Sequence, residues 1–401
     1  MQIEFPHYFL WGAATSSYQT EGGNLNSDWS DWEKSRKLQP AADACKHYQQ
    51  FPQDFQLASD LGLKALRFSI EWSRICPRPG EVCQRELSHY KAVIKSLKDN
   101  GLKPFLTLHH FTNPRWFAHS GGWLNSKNID YFLQYLSVTA QALKEDVDYW
   151  LIFNEPLVYL FNGYIKGIWP PGKTSLPIAI RAFKNIISAY KTGYWEIKNI
   201  CKHNPSVAQV SLAKHMIAFS PCPNSKLGGL SAALRDKLFN TSLCAYLKKN
   251  KCLDFLALNY YYKEYTKFSG PLGEECSHKH KERKNYLGWN IYPQGLYQML
   301  IRSKKLNLPI MITENGTAEE SSEMYQDYMV KHLKAIADAI ADGVDVRGYF
   351  WWSLIDNFEW DKGFEPRFGL AHVDYSTFAR KLKPFAFRYA KICKENMMTY
   401  D

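Results

Sequence analysis

Eight short runs of apolar or β-branched residues, at 9–13, 65–70, 104–108, 150–153, 208–212, 255–258, 310–313 and 348–352, alternate along the chain with longer amphipathic stretches. Runs this short, set between turn-forming residues, suit strands buried on both faces. The stretches at 46–61, 86–100, 129–143, 178–200, 232–247, 295–305 and 325–341 repeat their apolar residues at helical spacing. Parallel strands require a crossover, and a helical crossover packs back on the sheet with one hand, so strict alternation leaves few topologies. The prediction is an α/β fold, a (β/α)₈ TIM barrel. It forms a single domain over 1–401, because no Pro/Gly/Ser-rich linker divides the chain. Such barrels carry their chemistry at the carboxyl ends of the strands.

Polar residues collect where that rule places a site. Arg67, His110, Asn154, Glu155, Asn259, Tyr261, Glu314, Trp352 and Glu359 all fall in or just beyond the strand runs. Two of them head short carboxylate motifs, Phe153-Asn154-Glu155-Pro156 and Ile312-Thr313-Glu314-Asn315-Gly316. Cleaving a glycosidic bond needs one carboxylic acid to protonate the leaving oxygen and one carboxylate to meet the positive charge developing on the sugar. Strand ends can hold both groups rigidly. The 13 Trp, 25 Tyr and 23 Phe fit a carbohydrate pocket, where ring faces pack on the C–H faces of sugars.

Other function classes fare less well. The formal charge of +11 is spread along the chain and mixed with acids, which does not describe a nucleic-acid surface. The densest basic stretch, 279–284, has no aromatic residue and reads as a solvated loop. Residues 167–174 satisfy the written P-loop pattern, but Pro170 and Pro171 lack the N–H donors that cradle phosphate, so the segment reads as a rim loop. The 9 cysteines are scattered without a Cys-x-x-Cys pair and read as reduced thiols, neither a disulfide framework nor a zinc site. The first residues carry no export signal and no run is long enough to span a membrane, so the expected setting is cytoplasmic. No cofactor or metal is implied, and nothing sets an oligomeric state.

The ordered motifs resemble glycoside hydrolase family one, the β-glucosidase family, over nearly the whole chain. The matches run from Phe9-Leu10-Trp11-Gly12-Ala13-Ala14-Thr15-Ser16-Ser17-Tyr18-Gln19 through Leu66-Arg67-Phe68-Ser69-Ile70-Glu71-Trp72-Ser73-Arg74 and Thr107-Leu108-His109-His110-Phe111. After the two glutamate motifs and Asn259-Tyr260-Tyr261 they end at Trp352-Ser353-Leu354-Ile355-Asp356-Asn357-Phe358-Glu359-Trp360 and Arg367-Phe368-Gly369-Leu370. The resemblance implies a retaining, exo-acting hydrolase of terminal β-linked glucose, galactose or fucose, with some transglycosylation. Glu314 would be the nucleophile and Glu155 the acid/base, with Arg67, Tyr261 and Asn259 supporting the nucleophile. Gln19, His110, Asn154, Glu359 and Trp360 would bind sugar hydroxyls, with Trp352 as the platform; Trp289 and Phe111 would lie on the aglycone side, and Phe368 completes the substrate-binding set. Retention implies carboxyl groups about 5 to 5.5 Å apart.

Three further expectations follow. Arg67 and Tyr261 should keep Glu314 ionised, while repulsion from it and a less polar setting push Glu155 up. A carboxylate at Glu359 should repel a phosphate dianion, favouring unphosphorylated glycosides over the alternative, a 6-phospho-β-glycosidase. Both glutamates are kept, which disfavours a silent glycan-binding protein on the same fold. Departures from the family pattern are Phe111 and Thr112-Asn113, expected to bear on aglycone preference, and Tyr325, expected to be structural.

Overall fold

The computed structural model, which describes residues 2–203, 207–223, 225–270, 273–276 and 282–400, builds the eight runs into parallel strands. These are β1 (Leu10–Ala14), β2 (Ala65–Ser69), β3 (Lys103–His109), β4 (Tyr149–Asn154), β5 (Gln209–Pro221), β6 (Leu256–Lys267), β7 (Ile310–Asn315) and β8 (Val346–Trp352). They hydrogen-bond in the order β5-β4-β3-β2-β1-β8-β7-β6, and β5 pairs in turn with β6, which closes the barrel. The outer ring comprises α1 (His47–Asp60), α2 (Gln84–Asp99), α3 (Asn128–Leu143), α4 (Leu176–Ile200), α5 (Ser242–Lys249), α6 (Pro293–Ser303), α7 (Ser322–Ala341) and α8 (Pro384–Glu395). The last was not among the expected helices.

Strand periodicity explains the two cores. Alternate residues point to opposite faces, so Ala65 faces the barrel interior while Leu66 and Phe68 face the helices. The interior is filled by mixing small Ala14, Ala65, Ala213 and Ala257 with large Phe105, Leu151, Met311 and Phe350. Large beside small is how a closed barrel reaches close packing without voids. The helix ends follow local chemistry. The Ser321 hydroxyl accepts from the Met324 N–H at 3.4 Å at the start of α7, and Glu323 sits in its first turn against the helix dipole.

Departures from the expectations concentrate between β5 and β6. Both strands run far past the expected ends at 212 and 258, and their extensions pair from Ala218 with Lys263 to Pro221 with Thr266. The helix expected over 232–247 is broken into Gly228–Asp236, a π-helical turn at Lys237–Thr241, and α5. The reading of all cysteines as reduced thiols is corrected, because Cys222 and Cys276 are joined; seven others are free. Glu274–Glu275 folds back antiparallel on the end of β6 and carries Cys276 to the end of β5, a contact across 54 residues that spacing alone does not reveal. Of the basic stretch 279–284, residues 279–281 lie outside the described residues; Lys263 pairs with Glu282 at 2.8 Å and Arg283 with Glu319 at 2.8 Å. Among the described residues no helix is long and apolar enough to cross a membrane.

Candidate active site

Irregular strand register prepares the carboxyl end of the barrel. Register shifts lie between Leu151 and Asn154, between Leu258 and Asn259, and between Tyr349 and Trp351, each just before or among predicted site residues. Such shifts re-aim side chains that a regular strand would send to the other face. Glu155 stops β4 with φ 41°, and its N–H donates to the Ala213 carbonyl at 2.9 Å. A non-glycine residue in that left-handed region costs on the order of 1–3 kcal/mol, a cost the surrounding structure must sustain. At the end of β7, a Cβ on Gly316 would lie 1.9 Å from the Trp352 carbonyl oxygen, so glycine permits β8 to approach the Glu314 strand.

Every predicted site residue is brought together here. Gln19, His110, Asn154, Glu155, Tyr261, Trp289, Glu314, Trp352, Glu359, Trp360 and Phe368 line one cavity of about 1350 Å³, while Arg67 and Asn259 stand fully buried behind it. The Arg67 guanidinium ion-pairs with Glu314, donates to Asn154 Oδ1 at 2.7 Å and to Thr107 Oγ1 at 3.1 Å. The Tyr261 hydroxyl donates to the other Glu314 oxygen at 2.5 Å. Asn259 is turned by Thr313, whose hydroxyl donates to its Oδ1 at 2.7 Å, so that its Nδ2 donates to Glu155 Oε1 at 2.7 Å. Asn259 was assigned to Glu314 from the resemblance; its side chain instead serves Glu155.

The recognition side chains are equally constrained. Asn154 Nδ2 donates to His110 Nε2 at 3.0 Å, which places the ring proton on Nδ1. Burial, then the charge of Arg67, holds His110 well below its usual range, so the ring is neutral. Its Nδ1 is buried without a protein partner, an N–H left over for a hydroxyl. The Gln19 Nε2 donates to the Phe358 carbonyl at 2.7 Å and approaches Glu359 at 3.3 Å. Aromatic walls complete the enclosure: Trp360 stacks on Tyr18 at 5.9 Å and Trp289 on Tyr262 at 5.0 Å.

Electrostatics in the site reverse two expectations. Burial pushes Glu314 up to about 7; Arg67 and the Tyr261 hydroxyl oppose this, and the charge on Glu155 adds to it. Burial also works against the charged form of Glu155, yet His215, Asn259 and Arg67 together hold Glu155 below its ordinary value. Both directions run against the expectation of a raised Glu155 beside an ionised Glu314. Two interacting carboxyls share their protons as a pair, and the largest pull on Glu155 comes from His215, whose Nδ1 lies 3.3 Å from Glu155 Oε1. Sequence reasoning missed His215 because the strand run was ended at 212. Burial and the acids Asp361, Glu314 and Glu155 push Glu359 up to about 8, so at neutral pH it is mainly a neutral acid and not the carboxylate expected.

The departures also resolve. Phe111 lines the cavity, but Thr112 and Asn113 do not; the Thr112 hydroxyl donates to Glu71 at 3.1 Å and the Asn113 amide to Asp28 at 2.8 Å. Tyr325 is structural, stacked on Phe385 at 4.5 Å with its hydroxyl on the Arg367 carbonyl. The 167–174 segment is a rim loop whose Trp169 donates to Asp361 at 2.9 Å.

A buried pair of carboxyls, one held against a cation and one by an amide, facing a cavity with unsatisfied donors and aromatic walls, can cleave acetals and bind polyols. Comparison with known proteins decides the family. The profile described as Glycosyl hydrolase family 1 matches residues 1–247 and 238–398. The chain belongs to glycosyl hydrolase family 1. It is 31% identical over 442 residues to beta-glucosidase A of Thermotoga maritima, covering 98% of each chain, and 31% identical over 446 residues to beta-glucosidase A of Acetivibrio thermocellus, covering 98% of this chain and 99% of the other. Among solved structures, a beta-glycosidase from Pyrococcus horikoshii superposes with a TM-score of 0.91 at 34% identity, covering 100% of this chain and 97% of that one. This family-1 chain is a glycoside hydrolase on a (β/α)₈ barrel.

Proposed function

We propose that this enzyme is a retaining, exo-acting β-glycosidase of terminal glucose, or of galactose or fucose, with Glu314 as nucleophile and Glu155 as acid/base. The observation that carries the reading is the pairing of Glu314 with Arg67 and Tyr261 on one side of the cavity and of Glu155 with Asn259 and His215 on the other. In the reactive form of the coupled pair the proton sits on Glu155 and Glu314 is ionised; Glu314 then attacks the anomeric carbon while Glu155 gives that proton to the departing oxygen, and water, deprotonated by Glu155, releases the sugar. Arg67 stabilises the charge that Glu314 must carry. Asn154, bridged between Arg67 and His110, is placed for the 2-hydroxyl, where contacts strengthen in the transition state. Trp352 lies under the ring, and Gln19, Glu359 and Trp360 take the outer hydroxyls.

A neutral Glu359 can donate as well as accept, which suits hydroxyl recognition. Its exclusion of a sugar phosphate rests on Asp361, Glu314 and Glu155 around it, not on its own charge. A 6-phospho-beta-galactosidase of Clostridium acetobutylicum is 28% identical over 469 residues, so that reading is tested directly. Initial rates on p-nitrophenyl β-glucoside, β-galactoside, β-fucoside and β-glucoside 6-phosphate should show turnover of an unphosphorylated glycoside; activity confined to the phosphate would reject the assignment.

His215 sets the proton on the acid. Substituting His215→Phe removes the strongest pull that lowers Glu155, so its pKa rises and more of it is protonated at a given pH. The alkaline limb of the kcat/KM profile, where the acid loses its proton, should move to higher pH. A limb that stays in place would separate His215 from the titration.

A further inference from the structure

The cavity does not end at the sugar site. Strand β5 continues beyond the barrel, and its alternate residues His215, Ile217 and Phe219 line the cavity in sequence outward from Glu155. Beyond them the cavity follows α4, whose lining positions run from Leu176 to Thr192, about 24 Å at 1.5 Å per residue. Its first turns present Leu176, Ile180, Phe183 and Ile187, which share one face at helical spacing. Leu238 and Tyr246 line the same groove from the π-turn and α5. Leu176 is 53% exposed, Ile180 46%, Leu238 48% and Tyr246 45%, so this apolar groove stands open to solvent. A continuous open patch of this kind marks a binding surface.

The direction of the groove identifies its occupant. Apart from Asn154 at the end of β4, the predicted hydroxyl-binding residues come from the ends of β1, β3 and β8 and their loops, whereas the groove leaves along β5, on the side of Glu155, which protonates the leaving oxygen. We propose that the groove is the aglycone site and that the aglycone is an extended alkyl or acyl chain, making the substrate an amphiphilic β-glycoside with a lipid-like tail. The proposal rests on the glycosidase reading above. A sugar aglycone would need hydroxyl partners along its length, but the α4 positions nearest the active site are apolar. Lys184 lies among these apolar positions and Lys191 follows them, while Lys166, Arg235, Glu264, Glu274 and Glu275 add charge to the cavity lining.

Calorimetric titration of the intact Glu314→Gln protein with methyl, butyl, hexyl and octyl β-glucoside, each below its micelle concentration, tests this without turnover. The expected dissociation constants fall by up to about fourfold per methylene, the effect of burying one CH₂. In the wild-type enzyme, kcat/KM should rise in parallel. Ile180→Asn and Leu238→Asn should each flatten the slope, while Phe387→Asn on α8, 61% exposed and outside the cavity, should not. Affinities independent of chain length, including those caused by a second copy of the chain covering the groove, would overturn the proposal. Cleavage of p-nitrophenyl β-glucoside with such a flat profile would overturn the groove alone. A steep profile without cleavage of any β-glycoside would overturn the glycosidase reading and leave a chain-binding groove.

Discussion

Replacing Glu314 by glycine should lower kcat by a factor on the order of 10⁵, the scale on which removal of a covalent nucleophile acts. The argument is local. Glu314 is buried, holds the Arg67 guanidinium and accepts from the Tyr261 hydroxyl, so no solvent molecule substitutes for a carboxylate held in that geometry. Removal leaves a space beside a buried cation. Azide or formate can enter it, attack the anomeric carbon of an activated β-glycoside and yield a product of inverted configuration, restoring turnover. The same substitution strips Arg67 of its counter-charge, and an unpaired buried charge costs about 3–5 kcal/mol. Thermal unfolding should therefore show a lowered Tm that azide partly restores. Full activity in Glu314→Gly, or rescue with retained configuration, would remove Glu314 from the nucleophile's role.

The second large effect belongs to Glu155. Glu155→Gln keeps the shape of the side chain and the contact to Asn259 while removing the transferable proton. General acid catalysis contributes roughly 10²–10⁴-fold, so alkyl glycosides, whose alkoxides leave poorly, should lose kcat/KM by that factor. A p-nitrophenyl glycoside needs little protonation and should lose far less. The alkaline limb of the pH profile should vanish with the proton donor. Equal losses for good and poor leaving groups would assign Glu155 a structural part.

The eight strand runs were legible because strands buried on both faces have little choice but continuous apolar sequence; the barrel rule picked out polar residues at strand ends such as Arg67, Glu155 and Glu314, whereas Gln19, Trp289, Trp360 and Phe368 came only from the family resemblance. What escaped has specific causes. Strands β5 and β6 extend past the barrel as a pair, and Lys214 and His215 in one and Asn259 in the other interrupt their apolar character, so the apolar runs stop early. His215 was lost with them. The break at Lys237–Thr241 interrupts a segment whose apolar spacing continues unchanged, so periodicity does not mark it. The Cys222–Cys276 link depends on an antiparallel turn-back at Glu274–Glu275, which two residues cannot signal. The charge order of the glutamates failed for a different reason. Arg67 was foreseen as a partner of Glu314, but burial outweighs it, and the ring beside Glu155 was not foreseen at all.

The central claim is that Glu314 forms a covalent glycosyl-enzyme, and the configuration of the first sugar released tests it most directly. Proton NMR during the opening minutes of p-nitrophenyl β-glycoside hydrolysis, before mutarotation, should show the β-anomer accumulating ahead of the α-anomer. Two displacements at the anomeric carbon require that result. Initial release of the α-anomer would mean a single displacement by water and would contradict the account.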